Sequence, residues 1–531
     1  MNDSAINAYD EVPYESVAAT HSHPAHLATL ATLFGMNPRV VDRCRVLELG
    51  CAEGGNLIPL ACSLAQSQFL GIDYSQRQIE AGQQTIKRLG LKNIELRHAD
   101  IREYRSERAS FDYVLAHGVY SWVPSDVRPR LLEVCGESLA PNGVAFVSHN
   151  TYPGCHMRKM VREMMLFHIR NCSDARQQVT EARELLTFLI DSVPDEHTAY
   201  RAALNWELAH IKPFDDHQMR HDLLEAEYDA ITFSEFTERA GQHRLQYLAD
   251  AKFATMLPRN FGSETFEKLK SFSRNVIDVE QYMDFLRNRT YRETLLCHNN
   301  IRIERNIAPE KISGLYVASS LKPVSEQPEI ESSREELFQN GAGGELRTSR
   351  PLAKAAVMRL IDVWPRNMVF SELLDHARSR VQVEASQTAP PHEASHSDLD
   401  RDALSETLLH CFSNGLVELS VCPSTFTLAV EKRPLAGSLV RLQAETGQVV
   451  TNQRHEMIKV DSLQRLLLQK LDGQRDNDQL LEMLVDFAAQ GTLTLERNGQ
   501  PITDRLELRD QLADRLNAGL RGLANAALLV N

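Results

Sequence analysis

The stretch that decides the fold is residues 46–56, VLELGCAEGGN, which joins an apolar run to a cluster of small residues. The run ends at Leu49, and Gly50, Ala52 and Gly54 then alternate with larger residues before a helix-like segment at 56–66. Small side chains let a backbone approach a ligand closely, and the first turn of a helix offers it free N–H groups. The pattern predicts a strand, a tight turn and a helix that together hold a ligand.

The first 150 residues repeat this alternation of short apolar runs with helix-like segments. Residues 75–89 form the second helical segment, and the further apolar runs are 68–72 (QFLGI), 93–97 (NIELR), 111–116 (FDYVLA) and 143–150 (GVAFVSHN). Strands that alternate with helices of this length indicate an α/β fold, in which a parallel sheet carries helices on both faces.

Three acidic residues lie at the ends of the predicted strands, Glu48 inside the first and Asp73 and Asp100 after the second and third. Asp73 lies 23 positions after Gly50, where a carboxylate can accept hydrogen bonds from both ribose hydroxyls. Asp100 can accept a hydrogen bond from the adenine amino group. Glu48 would repel the pyrophosphate of a dinucleotide, but it can hold the cationic methionine group of S-adenosylmethionine. A dinucleotide-binding enzyme would share the glycine-rich turn and the acidic residue after the second strand, but the complete set favours S-adenosylmethionine.

This arrangement closely resembles the class I S-adenosylmethionine-dependent methyltransferases, which implies a Rossmann-like domain with a seven-stranded, mostly parallel sheet. The positions that match the family's cofactor site are Glu48, Gly50, Ala52, Gly54, Asp73 and Asp100. The adjacent Tyr74 and Ile101 are further candidates for cofactor binding. His117 is a candidate for contacting the cofactor or acting as a base, or it has only a structural role. Ala52 stands where the family usually has glycine, a small departure that should still permit binding.

A narrower resemblance covers most of the chain. It concerns bacterial methyltransferases with a methyltransferase regulatory domain, and the rickettsial protein-lysine methyltransferases in particular. The matching segments are 9–14 (YDEVPY), 30–35 (LATLFG), 116–124 (AHGVYSWVP), 150–154 (NTYPG), 221–224 (HDLL), 233–251, 281–298, 451–456 (TNQRHE) and 471–473 (LDG). The resemblance implies a protein substrate that is modified on lysine. Cys155 is a departure on the substrate side, because the family commonly has tryptophan there.

The change of pattern along the chain predicts four regions. Residues 1–155 are expected to form the cofactor-binding domain, and residues 156–303 a mostly helical region that includes the regulatory domain at about 215–300. The polar residues 304–350 are expected to be a linker. Residues 351–531 are expected to form a winged-helix-like module and a helical tail.

Within these regions, apolar spacing predicts particular elements. Helices are expected in the second region at 160–172, 182–190, 233–248 and 282–295. In the last region the expected elements are three short helices, at 353–362, 370–377 and 403–413, and a hairpin over 416–421 and 425–430. A disordered loop is expected over 387–400.

Composition limits the classes of function. The net charge of the 531-residue chain is −14, which argues against a nucleic-acid partner that binds through its phosphates. No apolar run is long enough for a membrane span, and the start of the chain has no signal-peptide pattern. The nine cysteines include no C-x-x-C pair. We therefore expect reduced thiols, a cytoplasmic location and no membrane insertion.

Three aromatic residues are the candidates for the acceptor site. Tyr120 and Trp122 follow the fourth strand and Tyr152 follows the fifth, at the edge where such sheets bind substrates. A lysine must lose its proton before it can attack, and a dry aromatic slot lowers its pKa. Ring faces also attract the methylammonium product. The alternative is that these residues only pack the loops.

Two other functions stay open beside methylation of protein lysines. One is methylation of a small molecule or natural product, and the other is cofactor binding by a regulatory protein with little catalysis. The complete acidic set of Glu48, Asp73 and Asp100 disfavours the second, and more than 350 residues beyond the cofactor domain favour a macromolecular substrate over a small one. No sequence pattern decides the oligomeric state.

A cluster of histidines near the start of the chain suggests a metal site. His21, His23 and His26 have no nearby cysteine or acid to complete a ligand set. A helix that begins at Pro24 explains the segment better, because proline is favoured in the first helical turn. No metal is expected.

Overall fold

A computed structural model describes residues 16–106, 108–194, 196–385, 393–491, 493, 495–497, 500–502 and 504–531. The resembling segment at 9–14 and residues 387–392 of the expected disordered loop lie outside these ranges. The remainder of that loop, from residue 393, belongs to a helix.

The fold is built on a seven-stranded sheet. Its strands in chain order are β1 (Arg45–Leu49), β2 (Gln68–Asp73), β3 (Ile94–His98), β4 (Phe111–Ala116), β5 (Leu139–Asn150), β6 (Leu245–Asp250) and β7 (Tyr291–His298). Their spatial order is β3-β2-β1-β4-β5-β7-β6. The first five pair in parallel, whereas β7 runs antiparallel to both β5 and β6. The predicted seven-stranded, mostly parallel sheet is confirmed.

Helices cover both faces of this sheet. The first four are α1 (Pro24–Leu33), α2 (Leu57–Ser63), α3 (Gln76–Leu89) and α4 (Val127–Ser138). The first three pack on one face, and α4 packs on the other. In β1, Val46 belongs to the first core and Leu47 and Leu49 to the second, so the strand is buried on both sides. This double burial is why the strands are apolar throughout.

A helical region separates β5 from the last two strands. Four helices pack around a core of their own: α5 (Cys155–Ile169), α6 (Ala175–Ser192), α7 (Thr198–Ile211) and α8 (Asp216–Leu223). Three more accompany β6 and β7: α9 (Phe233–Gln242), α10 (Ser263–Phe272) and α11 (Val276–Arg287). The helical character predicted for this region is found.

The single helices predicted over 233–248 and 282–295 are wrong in their second halves. In the structure α9 ends before β6 and α11 ends before β7, and Arg244 and Asn288 turn the chain with left-handed φ values of 63° and 50°. The strand state is imposed by the pairing of β7 with β5 and of β6 with β7, which local periodicity does not reveal. The sheet therefore extends beyond residue 155 and takes its last two strands from residues 245–298.

The residues expected to be a linker contain strands. They are β8 (Tyr316–Ala318), β9 (Lys322–Pro323), β10 (Glu336–Gln339) and β11 (Glu345–Thr348). Three helices and two strands follow: α12 (Pro351–Val363), β12 (Met368–Val369), α13 (Phe370–Ala385), α14 (Glu393–Ser413) and β13 (Glu418–Ser420). The three helices occur where they were predicted. The predicted hairpin does not form, because β13 pairs with β8 and residues 425–430 contain no strand.

The last part of the chain has a separate apolar core. Its elements are β14 (Leu435–Ala436), α15 (Ser438–Thr446), β15 (Val449–Thr451), β16 (Met457–Lys459), α16 (Ser462–Leu468), α17 (Asn477–Ala489), β17 (Glu496–Arg497), β18 (Gln500–Pro501), α18 (Arg505–Asn525) and β19 (Leu529–Val530). β15 and β16 form an antiparallel hairpin. Its turn, residues 452–456, points toward the start of the chain, where Thr20 donates a hydrogen bond to the His455 carbonyl.

Candidate functional site

The turn after β1 requires left-handed backbone at three positions. Gly50, Ala52 and Gly54 have φ values of 72°, 49° and 81°. Glycine adopts this conformation freely, but alanine does so at a cost. The Asp73 carboxylate offsets that cost by accepting a hydrogen bond from the Ala52 backbone N–H over 2.8 Å. A side chain at Gly50 would also stand 2.5 Å from Val119 Cγ2. The turn is thus held open and free of side chains at the carboxyl edge of the sheet.

Asp73 ends β2 beside this turn. Its second carboxylate oxygen accepts a hydrogen bond from the Ser75 backbone N–H over 2.8 Å. Burial raises the pKa of Asp73 above its usual value, and the two backbone hydrogen bonds act against that rise. Each oxygen keeps a lone pair that can accept a further donor, so the residue can both support the turn and bind hydroxyl groups.

Glu48 is buried next to the turn, with 3% of its surface exposed. Asn56 donates a hydrogen bond to Glu48 Oε1 over 2.8 Å, whereas Oε2 has no partner among the residues that the structure describes. Burial raises the pKa of the carboxyl to about 8, although the hydrogen bond from Asn56 acts to lower it. A buried carboxylate oxygen without a partner is suited to a cationic ligand.

The remaining candidates for cofactor binding lie along the same edge. Tyr74 follows β2 and is 60% exposed, and its carbonyl oxygen lies 3.0 Å from His98 Nε2. Asp100 follows β3 and pairs with Arg102 at 3.0 Å, while Ile101 next to it is buried. His117 follows β4, and burial lowers its pKa. The fold therefore brings the predicted cofactor residues together at one edge of the sheet.

The N-terminal segment covers this edge, a feature that the sequence did not reveal. The Gly55 backbone N–H donates to Ser16 Oγ over 2.9 Å, and the Ala19 backbone N–H donates to Asn56 Oδ1 over 3.0 Å. A side chain at Gly55 would collide with the backbone of Ser16. The glycine at position 55 could have indicated that another backbone segment lies close to it, but the sequence does not tell which segment this is.

Glu293 on β7 is a further acidic residue near this edge, and it was not predicted from the sequence. It pairs with Ser148 of β5 in the sheet and lies 3.0 Å from His21 Nδ1 and 3.4 Å from Lys252 Nζ. Burial acts to raise the pKa of Glu293, but the hydrogen bond from His21 and the nearby Lys252 outweigh it and lower the pKa to about 2. A carboxylate that is ionised at neutral pH therefore stands beside the ends of β4 and β5.

The three clustered histidines have separate partners. His21 binds Glu293, His23 caps α1 by accepting from the Ala25 N–H over 3.0 Å, and His26 Nε2 lies 2.7 Å from the Ala251 carbonyl. The helix begins at Pro24, as the alternative to a metal site predicted. Within the described residues no group of three or more histidine, cysteine, aspartate or glutamate side chains is placed to hold a metal ion.

The three aromatic candidates for the acceptor site differ in burial. Tyr120 is 1% exposed, and its ring stands edge-to-face with Phe236 of α9 at 5.3 Å. Trp122 and Tyr152 are only half-buried. The Trp122 ring packs edge-to-face on Tyr228 at 5.4 Å, and the Tyr152 ring stacks on His156 at 4.0 Å. Trp122 and Tyr152 are therefore the two that offer a surface.

Tyr228 and Asp229 come from the segment between α8 and α9 and join these loops. Asp229 pairs with Arg128 at 2.8 Å, and its backbone N–H donates to the Ser121 carbonyl. The carboxylate of Asp229 thus lies beside the two loops, although it comes from a different segment. Cys155 is fully buried and donates from Sγ to the Thr290 carbonyl over 3.0 Å. This departure from the family pattern is thus buried, and it lies beside Tyr228.

Across the part of the chain described, no helix has the length and apolar character that crossing a membrane requires.

Three parts of the chain match known protein families. Residues 46–143 match the family described as "Methyltransferase domain", and residues 215–298 match "Predicted methyltransferase regulatory domain". Residues 432–528 match "PKMT, C-terminal winged helix domain". The winged helix thus lies after the three helices and the hairpin from which it was predicted, and its range contains the hairpins β15–β16 and β17–β18.

The chain is also similar to rickettsial proteins over nearly its whole length. It is 35% identical to an uncharacterised protein of Rickettsia prowazekii, over 99% of this chain and 94% of that protein. The solved structure of PKMT2 from Rickettsia typhi in complex with AdoHcy has a TM-score of 0.86 and 28% identity, covering 98% of this chain and 100% of that one. A trans-aconitate 2-methyltransferase of Acidovorax sp. is 26% identical over 45% of this chain.

Proposed function

The chain belongs to the class I S-adenosylmethionine-dependent methyltransferases that carry a regulatory domain and a PKMT winged-helix domain, and from this premise we propose that it methylates lysine side chains of a protein. S-adenosylmethionine is its cofactor and supplies the methyl group. The observation that carries the lysine assignment is the likeness to PKMT2 over the whole chain. It includes the regulatory and winged-helix regions, which a small acceptor would not need.

The residues present fit this cofactor. The unpartnered Oε2 of Glu48 is suited to the cationic methionine group, and the carboxylate of Asp73 can accept from the ribose hydroxyls. The open turn at Gly50, Ala52 and Gly54 leaves room for the ligand against the backbone. The roles of Tyr74, Asp100, Ile101 and His117 are part of the same proposal, and their place along one sheet edge supports it.

We assign the acceptor slot to Trp122 and Tyr152, with Tyr228 as a third wall. Half-buried rings keep water away from an entering amine and disfavour its charged form, so the neutral, nucleophilic form is easier to reach. The lysine ammonium first releases a proton to water. The neutral amine nitrogen then bonds to the methyl carbon while the carbon–sulfur bond breaks and leaves its electron pair on sulfur, so the products are a methylammonium and S-adenosylhomocysteine. The task of the chain is to hold the two reactants in line. Tyr120 supports the slot from behind through its contact with Phe236.

A cytoplasmic location and a protein partner complete the proposal. All nine cysteines are free, and thiols stay reduced in that compartment. The acidic net charge of −14 supports a protein rather than a nucleic acid as the macromolecular substrate.

The test uses methyl-labelled S-adenosylmethionine and two pools of cell protein that have been dialysed free of metabolites. In one pool the lysines are acetylated, and in the other they are intact. We expect label in the intact pool only, recovered as ε-N-methyllysine after acid hydrolysis. Label in both pools would exclude lysine. A parallel reaction with the small molecules removed by dialysis tests whether the acceptor is a small molecule. Label in that reaction and in neither protein pool would reject the protein substrate.

A further inference from the structure

The hairpin turn of the winged-helix domain packs against the cofactor edge of the sheet domain. His455 in this turn is 3% exposed, and its Nε2 lies 2.7 Å from Asn56 Oδ1. Thr20 Oγ1 donates to the His455 carbonyl over 2.9 Å. Two segments nearly four hundred positions apart thus meet just before the first turn of α2, which begins at Leu57.

The hydrogen bonds around Asn56 have a defined direction. The Ala19 backbone N–H donates to Asn56 Oδ1, which identifies that atom as the oxygen of the amide. His455 Nε2 must therefore carry a hydrogen and donate it. Burial lowers the pKa of His455 well below its usual value, so the ring is neutral. The neutral ring is then the tautomer that carries its hydrogen on Nε2. The amide nitrogen of Asn56 donates to Glu48 Oε1 over 2.8 Å and to Ser22 Oγ over 3.0 Å.

We propose that His455 is a positioning residue for the cofactor site. By donating to Asn56 it fixes the amide that orients Glu48, so the docked winged-helix domain completes the site in the sheet domain. Without this donor the amide keeps only its contacts with the Ala19 N–H and Ser22 Oγ, so it holds Glu48 Oε1 less firmly in a buried place. His455 thus acts on Glu48 through Asn56, in the way that residues around a metal site orient the side chains that bind the metal. The proposal rests on the assignment of Glu48 to the cofactor site and does not depend on the acceptor.

The alternative is that His455 only helps to dock the domain. A second contact of the same interface separates the two explanations. Arg88 on α3 pairs with Glu445 on α15 at 2.6 Å, and both side chains are more than half exposed. This ion pair does not involve Asn56. Breaking that pair weakens docking without touching the hydrogen bonds of Asn56.

Three variants of the full chain test the proposal. His455→Asn suits the left-handed backbone at this position, where φ is 60°, but its amide is too short to reach Asn56. His455→Gln places an N–H about as far out as Nε2 of histidine. Glu445→Gln breaks only the peripheral ion pair. The readouts are calorimetric affinity for S-adenosylhomocysteine, its dependence on pH, and the thermal unfolding temperature.

We expect His455→Asn to lose about tenfold in affinity, the equivalent of one buried hydrogen bond. His455→Gln should recover most of it, and Glu445→Gln should bind like the unmodified chain. In His455→Asn the rise of affinity with pH should move to higher pH, because the hydrogen bond from Asn56 lowers the pKa of Glu48.

Equal affinity in His455→Asn and the unmodified chain overturns the proposal. A loss shared by His455→Asn and Glu445→Gln, in step with their unfolding temperatures, also overturns it and assigns His455 to docking alone. Glu48→Gln is measured beside them. If it leaves affinity unchanged, the assignment of Glu48 fails and the proposal fails with it. If it weakens binding while His455→Asn does not, only the role of His455 is rejected.

Discussion

Asn56 Nδ2 donates a hydrogen bond to Glu48 Oε1 over 2.8 Å, in a place from which water is almost excluded. The hydrogen bond favours the ionised carboxyl, but burial dominates and raises its pKa to about 8. Glu48 therefore changes its charge close to neutral pH. A cation bound beside it favours the ionised form, so ligand binding and proton release are coupled.

Cofactor affinity should therefore increase as the pH rises toward about 8. Below that pH, part of the binding free energy is used to remove the proton from Glu48, and affinity changes by up to about tenfold per pH unit. Calorimetric titration with S-adenosylhomocysteine across this range measures the slope. Glu48→Gln carries no ionisable group at this position and should give a flat profile. An unmodified chain whose affinity is independent of pH would contradict the coupling.

The same proton makes the ligand-free protein less stable as the pH rises. The folded carboxyl has a pKa of about 8, against the ordinary value of 4.5, so the folded state binds the proton more tightly than the unfolded state does. Its contribution to the free energy of unfolding is fully present below 4.5 and is lost between 4.5 and about 8. Thermal unfolding at several pH values should show a smaller decline in Glu48→Gln. A decline of the same size in both proteins would show that other groups cause it.

Asp73→Ala should weaken S-adenosylmethionine binding by roughly 30- to 150-fold, since the carboxylate is assigned to the ribose hydroxyls. The variant also removes the acceptor of the Ala52 and Ser75 backbone N–H groups, so Asp73→Asn, which keeps one acceptor oxygen, should lose less. Glu80→Gln on the exposed side of α3 is the matched control and should bind normally. Unchanged affinity in a folded Asp73→Ala protein would remove Asp73 from the site.

The sheet and the cofactor edge could be predicted because their signals are local. The glycine-rich turn and the acidic residues at the ends of β1, β2 and β3 can be recognised from the neighbouring residues alone. β6 and β7 could not be predicted, because their apolar spacing fits a helix and only the pairing of β7 with β5 and of β6 with β7 makes them strands. Three-dimensional contacts also decide the contribution of Tyr228 to the acceptor loops and the contact between His455 and Asn56. The residues around His455 give no sign of a contact with Asn56, and those around Asn56 give none of a contact with His455.

Gly55→Ala should detach the N-terminal segment from the cofactor edge. The added methyl group would collide with the Ser16 backbone, which cannot yield as a flexible side chain would. We expect faster hydrogen exchange in residues 16–22 and weaker cofactor binding, since this segment covers the turn. Gly241→Ala is the matched control, because a methyl group there meets no atom within 4 Å. If Gly55→Ala leaves both exchange and affinity unchanged, the segment does not contribute to the site.

Trp122→Ala should separate acceptor binding from cofactor binding. The ring packs on Tyr228 and lines the proposed slot, and among the described residues its one ring contact is with Tyr228, which is not assigned to the cofactor. Removing it admits water and loosens the acceptor, so we expect methyl transfer to protein to fall on the order of 100-fold, a typical consequence of a reactant displaced by about an ångström. Affinity for S-adenosylhomocysteine should stay nearly the same. Trp206→Ala is the matched control, because that tryptophan is 40% exposed on α7 and stacks only on His210 among the described rings. A parallel loss of cofactor affinity in Trp122→Ala would show that Trp122 packs the loop instead of receiving the lysine.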